Sequence, residues 1–70
     1  MKLLIIVEET ATGYSAFSPD LPGCIATGRS RQEVERSMRE AAQLHLEGLQ
    51  ADGVEVPTPH SYATVVEVAA

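Results

Sequence analysis

Tryptophan is absent, cysteine occurs once, and only Tyr14, Phe17 and Tyr62 are aromatic in the 70 residues. A single cysteine, Cys24, excludes an internal disulfide. With only two histidines beside it, the chain does not offer the four tightly spaced ligands of a structural zinc site. The longest apolar run, Leu3–Val7, is far shorter than the roughly 20 residues that span a bilayer. Met1-Lys2 and that run are also too short for a secretory signal, and no small-residue cleavage site follows. There is no Ser/His/Asp order, no phosphate-cradling glycine loop, no redox CxxC, no internal repeat and no low-complexity tract. The expectation is one cytosolic domain, residues 1–70, with no catalytic set and no metal site. A core of this size usually supplies only about 3–5 kcal/mol. Without a disulfide or a metal, idealised packing or self-association remains, and self-association through a sheet edge or an open sheet face is the expected remedy.

Positive charge is also scarce. Five Lys and Arg face ten Asp and Glu, a net charge of −5. Phosphate binding needs clustered cations, so DNA or RNA is not held by charge alone. An acidic surface instead suits a basic partner, by steering encounter. Arg29, Arg31, Arg36 and Arg39 do cluster, but Glu33, Glu35 and Glu40 are interleaved with them. That mixture reads as a solvated helix face.

What is present is concentrated in Ser18–Gly28. Pro19 and Pro22 each hold φ near −65° and bias Ser18 and Leu21 toward extended backbone. Pro22-Gly23 is a turn signal, with Pro at i+1 and Gly suited to a positive φ at i+2. The segment is therefore a rigid, shaped connection.

Lys2–Val7 reads as a strand and Thr10–Gly13 as a turn, with Gly13 free to take a positive φ. Tyr14–Ser18 is a second strand that places Tyr14, Ala16 and Ser18 on one face. Cys24–Thr27 is a third, broken by Gly28. Ser30-Arg31-Gln32-Glu33 is a capping box. After it Val34, Met38, Ala41, Ala42, His45 and Leu49 form one helical stripe, widened by Leu44 and Leu46. Glu35/Arg39 and Arg36/Glu40 are spaced i,i+4 for ion pairing. The helix should run from about Arg31 to Gln50 and stop at Asp52-Gly53. Pro57 and Pro59 make Val54–His60 extended but poor at pairing. Ser61–Val68 is a last, β-branched strand. The order β-β-β-α-β predicts an α+β fold, an antiparallel sheet with one helix packed on one face.

Individual candidates each have a plain structural reading. His45 lies on the apolar stripe with no partner ligands and reads as a half-buried space filler. Cys24 reads as a small core residue. Asp20 is a turn-stabilising or partner-contacting carboxylate, since Glu8, Glu9 and Glu67, which a two-metal nuclease would need beside it, read as strand-end or solvent-facing residues.

Taken together, Tyr14-x-Ala16-x-x-Pro19-Asp20-Leu21-Pro22-Gly23-Cys24, Thr27-Gly28, the helix ending Leu44-His45-Leu46-Glu47 with Leu49, then Gly53 and Pro57-x-Pro59, resemble the HicB-like antitoxin family. The resemblance covers nearly the whole chain. It implies a β-β-β-α-β domain with partial likeness to ribonuclease H and double-stranded-RNA-binding folds. It implies an antitoxin, commonly homo-oligomeric, that binds and neutralises a small basic HicA-type mRNA interferase. Pro19, Asp20, Leu21, Pro22, Gly23 and Cys24 are the partner-binding candidates, with Asp20 as the charged contact. Many members also carry a DNA-binding module. This sequence stops directly after the last predicted strand, so direct DNA binding is not expected. The alternatives are an orphan homo-oligomeric structural or ligand-binding domain and a metal-dependent ribonuclease H-like nuclease.

Overall fold

A computed structural model describes residues 1–70. Strands β1 (Ile6–Glu9), β2 (Tyr14–Phe17) and β3 (Ile25–Gly28) are followed by helix α1 (Arg31–Ala51). The strands form one antiparallel sheet in the order β1-β2-β3. The α+β class and the single helix agree with the sequence reading.

Register decides what each face carries. Val7, Ala16 and Ala26 lie in one row, and Ile6, Phe17 and Ile25 in the next. Side chains alternate along a strand, so these rows point to opposite faces. The Ala16 row faces the helix. Ala16, Leu21, Cys24, Val34, Met38 and Ala42 form the buried core, with Leu3, Ile5, Tyr14, Ala26, Ala41, Leu46 and Leu49 packed around it. Burying a Leu, Val or Met side chain stabilises by about 1.5–3 kcal/mol each. Phe17 and Ile25, on the other face, remain 38% and 69% exposed.

The helix begins and ends by local chemistry. Ser30 is extended, and its hydroxyl accepts from the Glu33 N–H at 3.1 Å. At the far end Gly53 takes φ 70°. Its N–H donates to the Gln50 carbonyl at 3.1 Å, and the Val54 N–H donates to the Leu49 carbonyl at 2.9 Å. Those two bonds make a Schellman termination. Val34, Met38 and Ala42 are the buried residues of the stripe. Leu44, read as widening it, is instead 68% exposed, because it lies about 120° around the helix from the centre of the Val34–Met38–Ala42 line.

Several expectations shift. The strand expected over Lys2–Val7 pairs only from Ile6, and its pairing reaches Glu9, opposite Tyr14. Gly28 belongs to β3 rather than breaking it, and pairs with Tyr14. A Cβ there would sit 2.6 Å from the Val34 nitrogen, so glycine permits the helix start to approach the sheet. Gly13 does not use a positive φ. It is needed because a Cβ would collide with the Gly28 carbonyl oxygen across the hairpin. Neither Glu35/Arg39 nor Arg36/Glu40 closes; the ion pair within 4.0 Å is His60–Asp20. Exposed helix pairs such as Glu35/Arg39 gain too little to fix two long side chains.

The largest correction concerns the last strand. Ser61–Val68 forms no strand. A strand exists only against a ladder partner, and none lies beside this segment within the chain. The Cα radius of gyration is 13.9 Å, with extents of 48 × 27 × 16 Å. A compact chain of this length would have a radius of about 11 Å. No helix is long and apolar enough to cross a membrane.

Candidate partner-binding site

The Pro/Gly segment folds as two consecutive turns. The Leu21 N–H donates to the Ser18 carbonyl at 3.3 Å, and the Cys24 N–H donates to the Leu21 carbonyl at 3.2 Å. Pro19 and Pro22 occupy the second position of each turn, where a fixed φ fits and no N–H is missed. Gly23 has φ 82°, the positive value a type II turn requires at its third position.

This double turn sorts its side chains. Ser18, Asp20, Leu21 and Cys24 are buried; Pro19, Pro22 and Gly23 are exposed. Leu21 and Cys24 belong to the core. Burial pushes the Cys24 thiol above its ordinary value, so it stays protonated and unreactive near neutral pH. The six candidate residues thus divide into an internal set that holds the bracket and an external ridge of Pro19, Pro22 and Gly23.

Asp20 is 3% exposed and turned inward. Its Oδ1 accepts from the Ser61 hydroxyl at 2.9 Å, and its Oδ2 accepts from the Ser61 N–H at 3.2 Å. The His60 Nδ1 lies 3.1 Å from Asp20 Oδ1 and 3.1 Å from the Thr58 carbonyl oxygen. Both neighbours are acceptors, which assigns the proton to Nδ1. Burial raises the Asp20 pKa, but the Ser61 and His60 hydrogen bonds and the His60 charge outweigh it and hold the carboxyl below its ordinary 3.8. The carboxylate therefore clamps the segment after the helix onto the bracket. Sequence reasoning missed His60 and Ser61 as its partners. They lie about forty residues away, and the only hint was an acid confined between two prolines.

The other candidates stay apart. His45 is half-buried on the helix, and Arg31, Arg36 and Arg39 share an exposed face with Gln32 and Glu35. Nowhere do three or more His, Cys, Asp or Glu side chains converge as metal ligands.

Residues 3–69 match the family described as "HicB_like antitoxin of bacterial toxin-antitoxin system". A UPF0150 protein of Helicobacter pylori is 40% identical over 74% of this chain and 72% of its own length. A UPF0150 protein of Archaeoglobus fulgidus is 38% identical over 67% and 70%. Among solved structures, a chain of the "HicA3 and HicB3 toxin-antitoxin complex" superposes with a TM-score of 0.70 at 26% identity, covering 84% of this chain and 72% of that one. The "Antitoxin HicB3 crystal structure" gives 0.66 at 29% identity over 79% and 40%. The three-stranded antiparallel sheet with its single helix thus matches solved HicB antitoxin structures, and the chain belongs to the HicB-like antitoxin family of bacterial toxin–antitoxin systems.

Proposed function

We propose that this chain is a cytoplasmic, self-associating antitoxin that binds a small basic HicA-type mRNA interferase and neutralises it by covering its active site and RNA surface. The observation that carries the reading is the likeness, over most of the chain, to a protein solved in a HicA3–HicB3 complex. The net charge of −5 supports it, because a basic ribonuclease is drawn to an acidic surface. The role is stoichiometric cover, with no catalytic step by this chain and no direct DNA contact.

The Pro19–Cys24 bracket is the proposed contact, through the exposed Pro19, Pro22 and Gly23. Its backbone is fixed before binding, which lowers the ordering cost of association. Asp20, Leu21 and Cys24 act from inside by holding that shape. The test is affinity for a co-encoded small basic protein, comparing the native chain with Pro22→Lys. A cation on the ridge facing a basic partner should weaken binding about tenfold, or about 1.4 kcal/mol, while the melting temperature falls only modestly from loss of the proline's fixed φ. Native affinity in the variant would remove the ridge from the interface. Failure of the unaltered chain to bind any such protein would remove the toxin.

A further inference from the structure

The chain carries a strand with no partner and an edge with no strand. From Tyr62 onward the backbone is unpaired, while Tyr62, Val65, Val66 and Val68 are 84%, 96%, 73% and 79% exposed. Isolated exposed apolar residues are ordinary, but four within seven residues of β-branched and aromatic character are not. The segment's root is not loose, because Ser61 is clamped by both Asp20 oxygens. Period-two alternation puts Tyr62, Thr64, Val66 and Val68 on one face, and Ala63, Val65 and Glu67 on the other.

The sheet has two vacant edges, β1 and β3, and the one beside an apolar groove is that of β1. Its inner neighbour is β2, and nothing pairs on its outer side. Leu3–Ile5 continue the chain ahead of β1 without ladder bonds. Beside this edge, between sheet and helix, runs an open groove of about 410 Å³. Met1, Leu3, Ile5 and Val7 line it on the sheet side, and Met38 and Leu46 on the helix side. A further strand laid along β1 would close this groove with one apolar face.

We infer that Tyr62–Val68 is a donated strand that pairs along the β1 edge of a second copy of this chain and fills the groove between β1 and α1 with Val66 and Val68. The dimensions agree: Tyr62–Val68 and Leu3–Glu9 are seven residues each, about 23 Å at strand rise. Donor and acceptor sit on the same chain, so two copies satisfy each other reciprocally, as a two-fold dimer requires. Residues 3–69 match the antitoxin family as one stretch, so the donated segment is part of the domain. The inference rests on the self-association in the reading above and is independent of the toxin.

The experiment is sedimentation equilibrium with concentration-dependent hydrogen exchange on the full chain. The expected result is a mass of twice the 7.5 kDa chain, with the amides of 63–68 and 3–7 gaining protection together as the dimer forms. Val66→Asp should shift the mass to one chain while circular dichroism still shows the helix. If that variant does not fold, exchange in the native chain decides alone. Rapid exchange at 63–68 in an assembled native chain would overturn the donated strand while leaving self-association standing. Protection at 25–28 in place of 3–7 would overturn the choice of edge. A mass of one chain at all concentrations would overturn both.

Discussion

Asp20 shows how one carboxylate can look like a contact in sequence and act as a clamp in the fold. Three hydrogen bonds from Ser61 and His60 favour its ionised form, so its pKa falls in the folded state. The sign follows from linkage: a depressed carboxyl contributes stability that is present above the unfolded value near 3.8 and is lost as pH falls through the lower folded value. Asp20→Asn should therefore melt below the native chain near neutral pH, and the gap should close as the pH drops below 3.8. Thermal melts across that range check it; a constant gap would mean the charge contributes nothing. Gly28 makes a similar point. Its place beside the helix start, with 2.6 Å between a hypothetical Cβ and the Val34 nitrogen, was read from sequence only as a breaker.

At the scale of elements, local signals were legible where both ends of an interaction lie within a few residues. The Ser30 cap, the Gly53 termination and the Pro22-Gly23 turn formed as their spacing dictates, although the capping box closes only on the Ser30 side. Ser30→Ala leaves the Glu33 N–H without its side-chain acceptor and should cost about 1 kcal/mol, read as a lower urea midpoint at unchanged slope. Met38→Ala, at the centre of the buried helix stripe, should cost about 2–5 kcal/mol. Against a core expected to supply about 3–5 kcal/mol, that variant should be largely unfolded by circular dichroism. Strand limits were less legible, because pairing register decides them: Glu9 joins β1 only because Tyr14 stands opposite.

For the whole molecule, the charge balance makes a kinetic prediction. Ten acidic against five basic residues should speed association with a basic toxin, and salt should slow it. Raising ionic strength from about 0.01 to 0.15 M shortens the screening length from about 30 to 8 Å. The association rate measured by stopped flow should fall severalfold across that range, with dissociation much less affected. A flat association rate would show that the net charge does not guide encounter. Asp20 ties the bracket to Ser61, where the exposed last segment begins, so the proposed toxin contact and the proposed donated strand would be neighbours in this fold.

Sequence by itself determined the α+β class, the capped helix, its buried stripe and the Pro22-Gly23 turn, because short-range sterics, hydrogen bonds and hydrophobic periodicity write them locally. Tertiary structure decided which bracket residues face outward, that Asp20 reaches Ser61 and His60, and that Ser61–Val68 has no strand partner within its own chain. Each of these depends on groups brought together across about forty residues or on a partner the chain does not contain, and no local pattern encodes such a distance.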